Sequence, residues 1–278
     1  MKIYFAGAQA KQMQEILRSC NVTRMLQSYH YMKNIKALTE FDLLMDSGGF
    51  TARMKGTPID VEEYAVFLNE NKVQVGFNLD TNDLKETLEN QKFLEKYTNT
   101  YIIPIYHLSD YFHARELIQD FCSYPFISIG GVAGEKSAKR FKDQLYQYVF
   151  KHTREKIMVH GLGITSAPEL RNYPWYSVDS TSWLAFGKFG RSSYAVKAPK
   201  LMRVMASHEN YKKLNSLEVR AILKFEKSIT ALWAERGVTW DERPLRVQKN
   251  ITRKAGKGPM ELQERRRRQV ANVEGSDS

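Results

Sequence analysis

The sequence predicts an α/β fold: a (β/α)8 barrel with a helical, basic C-terminal extension. Short apolar β-type runs alternate with helix-like stretches from the start of the chain to about residue 180, and eight such runs can be counted. Six of these runs end on an aspartate, a histidine or a glycine pair, the kind of group expected where strand ends gather round a reaction site. At 278 residues the chain is long enough for such a barrel, which takes roughly 250. The alternative is an open, doubly wound sheet. Against it, Ala6-Gly7-Ala8-Gln9 after the first run lacks the spacing of a dinucleotide-binding turn.

The elements follow in order. Ile3–Phe5 is the first strand, with a helical stretch near Ala10–Arg18, and Arg24–Gln27 is a weak second strand. Asp42–Met45 is the third. It leads to a helix at Val61–Asn71, whose Asp60-Val61-Glu62-Glu63 start places a capping aspartate three residues before a glutamate. Gln74–Leu79 ends at Asp80 ahead of a helix near Leu84–Lys96, and Tyr101–Tyr106 ends at His107. Phe126–Ile129 ends at Gly130-Gly131 before a helix near Ala138–His152. Ile157–Val159 ends at His160-Gly161, and Trp175–Val178 is the eighth strand, ending at Asp179. No internal repeat of fixed period is present.

After residue 196 the pattern changes. Leu217–Arg236 reads as one amphipathic helix stopped by Gly237. The expected organisation is a barrel over 1–196, a helical segment over 197–242 packed on it, and a basic tail over 243–278. That tail is either disordered until bound or forms one more helix near Glu261–Val270.

Composition narrows the function classes. Hydrophobic residues make up 42%, a globular value, and no apolar run is long enough to span a bilayer, so no membrane partner is expected. Met1-Lys2-Ile3-Tyr4-Phe5-Ala6-Gly7 is too short in its apolar part for a signal peptide and reads as strand. Cys20 and Cys122 form neither a disulfide scaffold nor a metal spacing, which suits a reduced, cytoplasmic setting. The formal net charge is +11 and is unevenly spread. Residues 197–278 hold 19 Lys and Arg against 10 Asp and Glu, whereas residues 1–196 are nearly balanced. The asymmetry points to a polyanionic partner, with nucleic acid first. A tail that only keeps the chain soluble is the alternative.

The chemistry gathers on two aspartates. Asp46, in Met45-Asp46-Ser47-Gly48-Gly49-Phe50, and Asp179, in Val178-Asp179-Ser180-Thr181-Ser182-Trp183, each end an apolar run. Two carboxylates on one pocket can divide the cleavage of a glycosidic bond: one captures the sugar cation and the other moves protons. Either aspartate alone could equally cap the next helix. The glycines after Asp46 favour the first reading, because they let backbone N–H groups approach a ligand closely. The remaining strand-end groups are Asp80, His107, Gly130-Gly131 and His160-Gly161. Carboxylate, imidazole and backbone amides can pair with the edge of a purine, and Phe50 or His160 can offer a stacking face.

These segments resemble the tRNA-guanine transglycosylases and their DNA-modifying relatives. Asp46-Ser47-Gly48-Gly49-Phe50 is similar to the family's Asp-Ser-Gly-Gly-aromatic motif. Ser128-Ile129-Gly130-Gly131-Val132-Ala133-Gly134-Glu135 resembles its Ile-Gly-Gly-Leu-Ala-x-Gly-Glu segment, one residue shorter. His160-Gly161-Leu162-Gly163 resembles its Met-Gly-Val-Gly turn, and Val178-Asp179-Ser180 its Phe-Asp-Cys. The four motifs stand in the family order, and the resemblance covers roughly residues 1–195.

The resemblance implies base exchange through a covalent glycosyl-enzyme, with Asp179 as nucleophile and Asp46 as the acid/base partner. It implies that Ser47, Gly48, Gly49, Asp80, His107, Gly130, Gly131 and Gly161 surround the base, with Asp80 reading the N1 and 2-amino edge. Gly131 would offer its N–H to O6, and Phe50 and His160 would sandwich the ring.

Three departures bear on the substrate. The Cys-x-Cys-x-x-Cys zinc site of the tRNA enzymes has no counterpart, since no cysteine follows Cys122; neither a metal nor a cofactor is expected. Ser182-Trp183-Leu184 replaces the usual Pro-Thr-Arg, and no added RNA-binding domain follows. The resemblance is therefore stronger to the phage and bacterial enzymes that insert 7-deazaguanines into DNA. These act in the bacterial, or host, cytoplasm. The expected partners are DNA, with its guanine flipped out or single-stranded, and a free 7-deazaguanine base such as 7-cyano-7-deazaguanine. Lys188, Arg191, Arg203 and Arg265-Arg266-Arg267-Arg268 are the candidate phosphate contacts. A zinc-less tRNA enzyme is the second reading. A barrel that only binds nucleic acid, or a simple glycosidase, is the third.

Overall fold

A computed structural model describes residues 1–31, 35–132, 138–154, 156–189, 208–248, 251 and 256–274. Side chains at 138, 139, 189, 208–210, 246 and 268–274 lie outside the description. Nine strands and eleven α-helices follow one another among these residues. The first half runs β1 (Lys2–Ala6), α1 (Lys11–Ser19), β2 (Arg24–Ser28), β3 (Asp42–Asp46), α2 (Gly49–Met54), α3 (Val61–Glu70), β4 (Val75–Phe77), α4 (Leu84–Tyr97) and β5 (Tyr101–Ile103). It continues with β6 (Ile105–His107), α5 (Leu108–His113), α6 (Leu117–Phe121), β7 (Phe126–Gly130), α7 (Ala138–Thr153) and β8 (Met158–Gly161). The remainder is α8 (Ala167–Asn172), β9 (Ser177–Ser180), α9 (Trp183–Phe189), α10 (His208–Glu235) and α11 (Gly258–Glu274).

The strands form one sheet in the order β5-β4-β3-β2-β1-β9-β8-β7-β6, and the registered pairs are parallel. Its first and last members, β5 and β6, are separated in the chain by Pro104 alone. The expected fifth strand, Tyr101–Tyr106, is thus broken in two. Proline has no N–H to give to a ladder, although its carbonyl still accepts from Ser128 N at 2.9 Å. Counting β5 and β6 as one gives eight parallel strand positions with alternating helices, and the fold class is α/β of the (β/α)8 barrel type.

The chain divides into two compact units. One comprises Met1–Gln27, Glu40–Leu44 and Pro104–Arg243; the other comprises Ser28–Thr39, Met45–Ile103 and Pro244–Ser278.

In the first unit, β1, β7, β8 and β9 are buried at every position, as expected of parallel strands covered on both faces. Tyr4, Phe5, Phe126, Trp175, Tyr176 and Trp183 fill its core. The long helix α10 packs on α1, α8, α9 and β1. Buried Glu226 ties it down by accepting from Ile3 N at 2.7 Å and pairing with Arg24. Trp233 Nε1 adds a bond to the Leu170 carbonyl at 2.9 Å. The helix starts at His208, earlier than the expected Leu217. Its added turns lie on Gly187, where Asn215 Oδ1 accepts from Gly187 N at 2.8 Å.

In the second unit, Asp60 and Asp83 cap α3 and α4, each accepting from two backbone amides of the first turn. Fully buried Tyr64 donates toward the Phe77 carbonyl at 3.1 Å and lies 3.4 Å from that of Met45, joining α3 to the ends of β3 and β4. The basic tail contains a helix longer than expected. Helix α11 packs on α3 and α4, and Gly258 sits so close to the Lys96 carbonyl that a side chain there would collide with it. The eighth predicted strand also shifts, from Trp175–Val178 to Ser177–Ser180, so Asp179 lies within the ladder and pairs in register with Tyr4.

Candidate active site

Asp179 is a buried acidic group of the first unit, held on one oxygen. Position alternation puts Ser177 and Asp179 on one face of β9, and the β8 register sets His160 beside Ser177. His160 Nδ1 lies 2.8 Å from Ser177 Oγ and its Nε2 lies 3.3 Å from Asp179 Oδ1. Gly163 N donates to that same oxygen at 2.8 Å. Gly163 can turn its amide onto the carboxylate because its φ of 66° suits glycine. Both bonds to Asp179 fall on Oδ1, and Oδ2 carries no hydrogen bond among the described residues. The residue is only 8% exposed. A carboxylate held in this way, with one oxygen anchored and the other without a hydrogen bond, has the geometry that a nucleophile or an electrostatic stabiliser requires.

His160 does not lie where the stacking role would need it. It is fully buried, edge-on to Tyr4, and its ring offers no open face to a base. Gly161, next in the strand, is also buried, and a Cβ there would meet Ile164 and Trp175; close packing accounts for this glycine.

His107 and Gly130 are brought together as paired positions of β6 and β7. A Cβ on Gly130 would come 3.1 Å from His107 Cδ2, so the glycine makes room for the imidazole. His107 is partly buried and also caps α5: its N–H donates to Asp110 Oδ2 at 2.8 Å, and its Nδ1 lies 3.7 Å from the same atom. Gly131, exposed with φ of 70°, follows directly. Ala133, Gly134 and Glu135 of the same motif lie outside the described residues.

In the second unit, Asp46 ends β3 half-buried, and its Oδ2 accepts from Gly48 N at 3.1 Å. Ser47 is fully buried and accepts from Gly49 N at 3.3 Å. Gly48 opens α2 with φ of 76°, and a Cβ there would collide with Ser28 Oγ and His30 Cβ. Gly49 lies against the Asp80 carbonyl. The next residue, Phe50, is 67% exposed, which leaves its ring available for stacking. Asp80 lies beside Arg53: Nη2 is 3.7 Å from Oδ2, and Nη1 donates to the Asp80 carbonyl.

Sequence reasoning missed Arg53, Ser177 and the capping Asp110, and it did not single out Gly163 within its motif. Arg53 sits on the short helix α2, which the sequence pattern did not predict, and its partner Asp80 is distant in the chain.

Of the basic candidates, Lys188 is exposed on α9, while Arg191 and Arg203 lie outside the described residues. Arg265 is held by an ion pair to Glu62 at 2.9 Å and lies over the Phe93 ring, so it is a docking contact of α11. Arg266 is half-buried and Arg267 exposed, and the Arg268 side chain lies outside the description. Among the described residues no three His, Cys, Asp or Glu side chains gather as metal ligands, and no helix is long and apolar enough to cross a membrane. No protein-family model matches the sequence, and no curated protein is significantly similar to it.

Proposed function

We propose that the protein is a DNA-guanine transglycosylase that exchanges guanine in DNA for a 7-deazaguanine through a covalent aspartyl intermediate. The observation that carries this reading is Asp179, buried near the end of β9, with Oδ1 accepting from Gly163 N and lying 3.3 Å from His160 Nε2 while Oδ2 carries no hydrogen bond among the described residues. In the first half-reaction, Oδ2 forms a bond to C1′ as the C1′–N9 bond breaks, and the guanine leaves with a proton from the acid/base partner, a role that the motif resemblance assigns to Asp46. In the second, Asp46 takes the N9 proton of the incoming base. That nitrogen then bonds to C1′ and the C1′–Oδ2 bond breaks. An anionic oxygen close to C1′ stabilises the oxocarbenium-like transition state and conserves the bond for exchange instead of hydrolysis.

Asp80 suits the donor edge of guanine, and exposed Phe50 suits its face. Carrying roles for His107 and Gly131 rests on the motif resemblance. DNA is favoured over tRNA by the lack of a cysteine cluster and by Ser182-Trp183-Leu184 in place of the Pro-Thr-Arg of the tRNA enzymes. The decisive experiment supplies radiolabelled guanine and 7-cyano-7-deazaguanine with DNA or tRNA, and looks for an enzyme–nucleic acid adduct on denaturing gels. Exchange into DNA, with adduct and exchange both lost in Asp179→Ala, is expected. Exchange confined to tRNA would replace the DNA reading by the tRNA one. Full activity in Asp179→Ala would overturn the mechanism.

A further inference from the structure

We infer that Ser177 and His160 form a buried positioning pair for Asp179, a role that rests on the base-exchange reading and adds a step to it. An ionised carboxylate only accepts hydrogen bonds, so His160 Nε2, 3.3 Å from Asp179 Oδ1, is the nitrogen that carries the proton. Ser177 Oγ, 2.8 Å from Nδ1, holds the other end of the ring. A hydroxyl can meet Nδ1 as donor or acceptor, so it fixes the ring orientation in either charge state.

The surroundings leave the imidazole little freedom. His160, Ser177, Ser128 and Tyr4 are fully buried, Ser128 Oγ donates to the His160 carbonyl at 3.2 Å, and Tyr4 packs edge-on against the ring. With the Gly163 amide, the imidazole makes a two-donor cradle on Oδ1.

The cradle acts at both chemical steps. Before attack it stops the carboxylate from rotating and so holds Oδ2 as the attacking atom. In the glycosyl-ester intermediate, Oδ1 becomes the ester carbonyl oxygen. When the C1′–Oδ2 bond breaks, negative charge returns to the carboxylate, and two N–H groups already aimed at Oδ1 stabilise it. Asp179 is thereby a better leaving group in the second half-reaction, which is the step that separates exchange from a dead-end adduct. His160 touches neither the sugar nor the base in this scheme. It acts through Asp179.

Two measurements on the full chain test this. The first is ¹⁵N NMR of histidine-labelled protein, with His160→Gln identifying the ring signals. A ring protonated at Nε2, whose signals move in Asp179→Ala, is expected; a bare Nε2 overturns the pair whether or not the protein exchanges bases. The second is kinetic. His160→Leu should lower kcat about 10-fold or more, the usual value of a hydrogen bond to a charged group, with KM for DNA and for free base within about twofold. The adduct should occupy a larger share of the enzyme at steady state. His160→Gln, which keeps an N–H near the Nε2 position, should recover most of the rate, and that recovery distinguishes positioning from folding. A kcat unchanged in His160→Leu, or no recovery in a folded His160→Gln, overturns the role. Wild-type protein that exchanges no base while keeping the Nε2–H signature would sink the transglycosylase reading and leave the pair standing.

Discussion

Arg53 reaches Asp80 from one turn into α2: its Nη2 lies 3.7 Å from Oδ2, and its Nη1 donates to the Asp80 backbone carbonyl. The guanidinium therefore holds both the carboxylate and its peptide, in a place where the Asp80 side chain is 15% exposed. If Asp80 reads the donor edge of the base, Arg53 keeps that carboxylate aimed. Arg53→Met should raise KM for the free 7-deazaguanine about 10-fold, as expected for the loss of a charge-assisted contact, and change kcat by less than about threefold. Steady-state titration of the base at saturating DNA measures both. An unchanged KM would remove Arg53 from the base site.

Gly48 tests how much the loop after Asp46 depends on backbone conformation. Its φ is 76°, its amide donates to Asp46 Oδ2, and a Cβ would lie 2.3 Å from Ser28 Oγ and 2.6 Å from His30 Cβ. Left-handed backbone alone costs a non-glycine residue about 1–3 kcal/mol, and the collision adds to it. Gly48→Ala should lose at least about 2 kcal/mol in urea unfolding and lose exchange activity together, because the loop that sets Asp46 must move. A variant with wild-type stability would show that the loop can relax without cost.

How far the sequence could be read follows from what each feature depends on. Strand ends at Asp46, His107 and Gly130 are legible because a parallel strand buried on both faces is a plain apolar run, and the first polar residue or glycine after it marks its exit. Strand β4 instead stops at Phe77, three residues short of Asp80, and His160 lies inside β8. Asp179 was found but misplaced by a strand end, since Trp175 and Tyr176 look like strand although pairing with β1 begins only at Ser177 for the Lys2 partner. Pairings between distant elements were not legible. Arg53 with Asp80, His160 with Ser177 and Arg265 with Glu62 each need a register or a helix crossing that one-dimensional spacing does not contain. The fate of the tail was illegible for the same reason: α11 is polar by composition and is held by α3 and α4.

Lys2 gives a pH dependence with a definite sign. It is 3% exposed and donates to Tyr176 Oη and to the Arg243 carbonyl, both at 2.8 Å. Burial lowers its pKa to about 8, more than the nearby Asp42 carboxylate restores. The Met1 amino group is lowered as well, again mainly by burial. Between pH 8 and 10.5 the unfolded chain therefore binds more protons at Lys2 than the folded one, and stability rises with pH across that window. The full shift is worth on the order of 3 kcal/mol. Above pH 10 buried Tyr4 and Tyr64, whose pKa values burial pushes well up, reverse the trend, because the folded protein then holds the extra protons. From pH 7.5 to 9.5 the urea midpoint should rise in the wild type and rise by clearly less in Lys2→Met, where only the Met1 amino group keeps a lowered pKa of this kind. A wild type whose midpoint falls over this interval contradicts the assignment.

The last expectation separates the arginines of α11. If the basic end contacts phosphates, binding should fall with salt by about 0.9 in log–log slope for each duplex phosphate neutralised, or about 0.7 for single strands. Arg265 is already committed to Glu62 at 2.9 Å and to the Phe93 ring. Removing it should loosen α11 from α3 and α4 by no more than about 1 kcal/mol, the usual value of a half-exposed ion pair, and leave the salt slope nearly intact. Arg267 is exposed and Arg266 half-buried, so the double variant Arg266→Ala, Arg267→Ala should flatten the slope by one to two phosphate increments. It should raise the apparent KM for DNA while kcat at saturation holds, because the contacts are made equally in ground and transition states. Anisotropy titrations of one labelled oligonucleotide over a range of salt, run on wild type and both variants, decide the matter. Equal slopes in all three would mean that the helix contributes solubility and docking but no phosphate contact. Lys188 on α9 would then be the next residue to replace.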